Sequence, residues 1–214
     1  MAQTDIPEGE ELFAIPRGLI LTPGNSNLNT HLPGELDELD TWLSLILVMI
    51  YEYLLAEKSL WAPYLRILPT DFDTLMFWSD AELGELQGSA IVDKIGKKGT
   101  EESILLTLAP IVRRNPSLFS PVDGLSSYDG DAGSQALLRL AHIMGSLIMA
   151  YAFDIEKSDG NDDENGEGGD GYITDDEAEQ LSKGMVPLAD LLNSDPVRNN
   201  VSLPFPAPFL ISII

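Results

Sequence analysis

Apolar residues fall on almost every face of residues 36–58, with acids ahead of the run and Lys58 at its end, where a helix dipole favours each sign. The pattern predicts a buried helix. A membrane span is the rival reading, but the uninterrupted apolar stretch 45–51 is far shorter than the roughly 20 residues a span needs, and Glu52 interrupts it. Ser79 with Glu82 three residues on writes a capping box, with Gly88 placed to end the helix it opens. Residues 100–114 repeat the idea with Thr100 as N-cap, Arg113 and Arg114 as the C-terminal complement, and Pro110 expected to kink or restart the helix. Residues 134 to about 153 carry the clearest stripe: Leu137, Leu140, Ala141, Met144, Leu147, Ile148 and Tyr151 share one face. Strand signals are fewer. The runs 11–15 and 19–21 are β-prone and separated by Pro16-Arg17-Gly18, a bend. Trp61, Tyr64 and Leu65, in a proline-broken connector, are expected to pack on the first helix. Thr174-Asp175-Asp176-Glu177 opens another capping box, and the short helix it predicts ends at Gly184. Residues 185–200 then read as a buried, tightly specified piece, a short apolar turn feeding a polar one. The sum is an α+β chain, helix-rich overall.

The composition narrows the chemistry. With 214 residues and 44% hydrophobic content, one substantial core with an insertion is the default. The absence of cysteine excludes disulfides and thiolate metal sites. A formal charge of −23 argues against nucleic acid and favours a basic protein partner. The N-terminus shows neither a secretory nor a transit pattern, so an intracellular home, nuclear or cytoplasmic, is expected, with no membrane partner.

Few residues invite catalysis. His31 and His142 are the only histidines, and no carboxylate pattern in the sequence accompanies them, so no histidine-based arrangement or metal site is expected. The Gly- and acid-rich residues 158–174 are expected to form a mobile, protease-sensitive loop. Aligning Asn161, Asp163 and Asn165 on a calcium loop with Gly166 sixth fails, because Tyr172 falls where a bidentate Glu is required.

The words E-G-E-E-L-F-A-I-P-R-G-L-I-L-T, W-A-P-Y-L-R-I-L-P, F-W-S-D-A-E-L-G-E-L-Q-G-S, I-M-A-Y-A-F-D-I and M-V-P-L-A-D-L-L-N-S-D-P-V-R-N-N resemble SET-domain protein-lysine methyltransferases of the Rubisco-methyltransferase-like group. The likeness covers roughly residues 7–203 and is nearest to the fungal ribosomal-protein lysine methyltransferases. It implies a SET β-fold, incomplete here, carrying a large helical insertion: strands in 1–30, the insertion in 31–157, the acidic loop in 158–174, the cofactor segment in 175–203, and an unrelated apolar tail in 204–214. The family's Gly-x-Gly turn and closing tyrosine are expected to fall outside the chain, so no catalytic residue is assigned.

What the resemblance implies about the site is specific. The family form of the last segment is A-D-L-L-N-H, so Asp190, Leu191 and Asn193 match and Ser194 replaces the histidine. Leu191, Asn193 and Ser194 are then expected to hold S-adenosyl-L-methionine, with backbone carbonyls near Asp190 facing the substrate lysine. Tyr151 is a further cofactor contact by resemblance; as a residue it reads equally as a core tyrosine on an apolar stripe. The implied function is methyl transfer to a protein lysine, with a ribosomal protein as substrate and this chain expected to be catalytically incomplete. The alternative is a non-catalytic acidic fragment that binds basic proteins.

Overall fold

The computed structural model describes residue 7 and residues 11–156, 181–192 and 210–213. The chain divides into two compact units: residues 1–25 with 151–214, and residues 26–150.

The second unit is helical. Its helices are α1 (Leu28–His31), α2 (Thr41–Leu55), α3 (Ala62–Leu65), α4 (Asp80–Gly84), α5 (Ile91–Ile95), α6 (Lys97–Arg114) and α7 (Gly130–Tyr151), the last ending in the first residue of the other unit. Helix α2 is the predicted buried helix, with residues 43–52 all out of solvent. It starts later than the apolar pattern suggests, because the Asp40 carboxylate accepts the Trp42 and Leu43 amides and fixes the first turn there. Glu52, which breaks the apolar run, is itself only 2% exposed. Its two oxygens each accept a serine hydroxyl at 2.6 Å, from Ser26 and from Ser59. Those hydroxyls in turn accept the amides of Leu28 and Trp61 at the starts of α1 and α3. Burial, and after it the charge of Glu52, pushes the neighbouring Tyr51 hydroxyl above its ordinary pKa. The Trp61 connector packs on α2, with Trp61, Tyr64 and Leu65 buried.

Other helix boundaries differ from the pattern as well: α4 ends at Gly84 in place of Gly88, and α7 begins at Gly130 in place of residue 134. The α6 N-cap is Gly96, at φ +62°, in place of Thr100, whose amide already donates to the Gly96 carbonyl at 2.9 Å. The left-handed conformation that glycine tolerates turns the chain straight out of α5, so the helix starts a turn early. Pro110 neither restarts nor ends α6, which runs unbroken to Arg114. The arginines there are bound as structural partners: Arg113 donates to the Tyr128 carbonyl and the Ser134 hydroxyl, and Arg114 pairs with Glu35. The α7 stripe is buried from Leu137 to Ile148. The helix ends at Tyr151, and residues 152–156 leave it as a strand.

The other unit carries the strands β1 (Phe13–Pro16), β2 (Ala152–Glu156), β3 (Leu181–Met185) and β4 (Leu210–Ile213), in two antiparallel pairs, β1 with β4 and β2 with β3. β1 bends at a 3-10 turn over Arg17–Leu19, as Pro16-Arg17-Gly18 predicts, and Leu21 then bridges Met185 through two amide–carbonyl hydrogen bonds of 2.9 and 3.0 Å. Ile15, Ile20, Ile155, Val186 and Ala189 form its buried core.

Three expectations are corrected here. Residues 181–185 are strand where a helix ending at Gly184 was predicted, because their backbone pairs with β2 and Gly184 lies against its face. A Cβ on Gly184 would overlap Ile155 and come within 2.9 Å of Thr22 Cγ2. No strand was expected in the tail 204–214, yet Leu210–Ile213 pairs with β1 in the register Phe13↔Ile213, its apolar, β-prone residues completing a ladder with the edge of that strand. Finally, β2 adds a strand to those read near the N-terminus, beginning within the stretch expected to be helix. The acidic stretch 158–174 lies outside the described residues.

Candidate functional site

The candidate residues are gathered by the β2–β3 ladder. Ala152 faces Met185 in the antiparallel register, so Tyr151, one residue before β2, and Val186, one residue after β3, stand at the same end. Met185 lies between Ala152 on one side and Leu21 on the other. Tyr151 is half-buried, whereas the six α7 stripe residues before it are buried.

From Met185 the chain enters a compact turn. Val186 and Ala189 are 1% and 2% exposed and both belong to the core, while Pro187 and Leu188 between them carry the reversal. Leu188 takes φ +76° and ψ −38°, and the 3-10 turn Ala189–Leu191 follows. The Leu191 and Leu192 amides donate to the Leu188 and Ala189 carbonyls at 3.2 and 3.1 Å. Asp190 is half-buried. The expectation that this whole segment is buried is corrected: Leu188, Leu191 and Leu192 are 56%, 64% and 41% exposed. A turn that commits Val186 and Ala189 to the core has to aim the intervening and following side chains outward.

Of the predicted site residues, then, Tyr151, Asp190 and Leu191 are brought to one end of one ladder. Asn193 and Ser194 lie outside the described residues. Across the same ladder Lys183 pairs with Asp154 at 2.7 Å, an exposed ion pair worth at most about 1 kcal/mol.

His142 does have a carboxylate partner, which sequence spacing hid: its Nε2 lies 3.0 Å from Glu101 Oε1, between α7 and α6, 41 residues apart. Phe77 packs edge-on to the ring at 6.0 Å. Among the described residues no group of three or more His, Asp or Glu side chains is placed to hold a metal, and no helix is long and apolar enough to cross a membrane.

No protein-family model matches the chain. It is 33% identical over 215 residues to ribosomal lysine N-methyltransferase 4 of Saccharomyces cerevisiae, a match covering 96% of this chain and 40% of that protein. It is 32% identical over 201 residues to N-lysine methyltransferase setd6 of Xenopus laevis, covering 90% of this chain and 39% of that protein. The chain thus spans about two fifths of the length of these relatives. Among solved structures, the SET domain of LSMT bound to methyl-lysine and AdoHcy superposes on 99% of the chain and 41% of that protein, with a TM-score of 0.67 and 24% identity. Rubisco LSMT bound to AdoMet superposes with a TM-score of 0.61 and 22% identity, over 99% of the chain and 41% of that protein. The α+β fold is that of part of a SET domain.

Proposed function

The chain is a homologue of the SET-domain lysine N-methyltransferases, matching about two fifths of their length, and from that kinship we propose that it forms part of an enzyme moving a methyl group from S-adenosyl-L-methionine to a lysine of a ribosomal protein. The observation that carries the proposal is the 33% identity to ribosomal lysine N-methyltransferase 4 over nearly the whole chain. A nuclear or cytoplasmic home fits such a substrate.

The residues present suit the cofactor in kind. A sulfonium is a cation, attracted electrostatically to carbonyl and carboxylate oxygens and to aromatic faces, and the end of the ladder offers the 186–192 backbone, the Asp190 carboxylate and the aromatic ring of Tyr151. In this reading Tyr151, Leu191, Asn193 and Ser194 hold the cofactor, and carbonyls near Asp190 receive the lysine amine. The cofactor supplies the methyl group already activated. The protein's task is to orient a neutral amine and exclude water, since a desolvated lysine favours its uncharged form. Proximity is the main contribution, so a rigid turn serves better than an acid or base.

A second reading rests on the net charge of −23: an acidic module that captures basic proteins by electrostatics without transferring anything. Calorimetry with S-adenosyl-L-methionine, then transfer of a radiolabelled methyl group to ribosomal proteins, separates the two. Cofactor binding that weakens on Asn193→Ala and on Tyr151→Ala is expected. Absence of cofactor binding, together with salt-sensitive capture of basic proteins, would establish the second reading instead.

A further inference from the structure

Leu188 has a backbone conformation that its side chain does not favour. At φ +76° it lies in the left-handed half of conformational space, one of three described non-glycine residues there, where a Cβ crowds the following carbonyl at a cost that glycine avoids. Its side chain is 56% exposed, so packing does not explain the choice of leucine. What enforces the conformation is on either side. Met185 is pinned by hydrogen bonds to Leu21, Val186 and Ala189 are both committed to the core, and Pro187 is fixed near its single φ. Two residues, Pro187 and Leu188, turn the chain between these buried anchors, and the second does so at positive φ.

The residue that follows starts the 3-10 turn bearing Asp190 and Leu191. We infer that Leu188 is a positioning residue: its strained, sterically narrowed backbone holds the 189–192 turn in one orientation, which glycine would fix less tightly. The inference rests on the methyltransferase reading above for its functional consequence, but not for its structural one. Strain held by flanking anchors is the arrangement by which a short turn can be pre-organised ahead of binding.

Three variants of the chain test it: Leu188→Ala, Leu188→Gly and Leu188→Asn. Ala keeps the strain, Gly removes it and loosens the turn, and Asn keeps a Cβ while tolerating the left-handed region. At an ordinary exposed position Gly is less stable than Ala; here the order of melting temperatures is expected to invert, with Gly above Ala. Amide exchange at Asp190 and Leu191 is expected to be faster in the Gly variant than in the Asn variant. Cofactor affinity should be on the order of fivefold weaker in Gly, because the competent orientation is populated less, and near wild type in Asn. A Gly variant no more stable than Ala would show that there is no strain to release. Equal exchange in Gly and Asn, or equal cofactor affinity in Gly and wild type, would show the turn to be merely structural. If the wild-type chain binds no cofactor, the methyltransferase reading fails, and the melting order and amide exchange still judge the turn.

Discussion

Glu52 shows how much one residue can organise. In the sequence it is the charge that ends an apolar run; in the fold it is buried and accepts two serine hydroxyls that each start a further helix. Three elements are thereby tied to one carboxylate whose oxygens are both satisfied, which is the condition for a buried charge to be tolerated. Glu52→Ala removes the acceptor of both serine O–H groups, leaving two buried donors unsatisfied. The expected loss is about 2–4 kcal/mol in urea denaturation. Glu52→Gln, which keeps one acceptor oxygen and nearly the same volume, is expected to lose less. An Ala variant with an unchanged midpoint would contradict this account. Ser26 and Ser59 were invisible to the pattern because their meaning depends on a partner 26 and 7 residues away.

Among elements, α4 is the one whose start the sequence specified fully. Ser79 and Glu82 exchange their hydrogen bonds as a capping box should, the Ser79 amide donating to Glu82 Oε2 at 2.8 Å. That backbone donor first and the Ser79 hydroxyl second hold the Glu82 carboxyl below its usual pKa, against the opposing effect of desolvation and with a lesser contribution from the charge of Lys97. The sign follows directly. A carboxyl whose folded-state pKa is depressed contributes stability above its unfolded value, near 4.3, and that contribution is lost as the pH falls through the lower folded value. An NMR titration should therefore place the Glu82 midpoint below that of an unstructured glutamate, and Ser79→Ala should move it upward. A midpoint indifferent to Ser79→Ala would show the cap to be unimportant in solution. Elements whose ends depend on other elements were harder to read. The 134–153 pattern runs two residues past the end of α7, because a partner strand offers the backbone of 152–156 a ladder with β3.

At the scale of the whole molecule, 35 acidic against 12 basic residues leave a chain that repels itself. Raising neutral salt from about 0.01 to about 0.15 M shortens the screening length from about 30 to about 8 Å, and scanning calorimetry should show the melting temperature rising; a fall would mean that specific ion pairs outweigh the repulsion. The charge, the abundance of helix, the buried helix α2, the α7 stripe and the words around Asp190 were all legible in the sequence, because each is a local pattern or a sum over residues. The ladder that sets Tyr151 beside the turn after Met185, the strand over 181–185, the pairing of 210–213 with β1 and the Glu101 partner of His142 were decided only by the tertiary structure. Each joins residues separated by 25 or more positions in the chain, where nothing in local spacing says which backbone or carboxylate will be the neighbour. Leu188 lies at that boundary: Pro187 announces a turn, but the left-handed φ of the leucine between the buried Val186 and Ala189 is visible only in the tertiary structure.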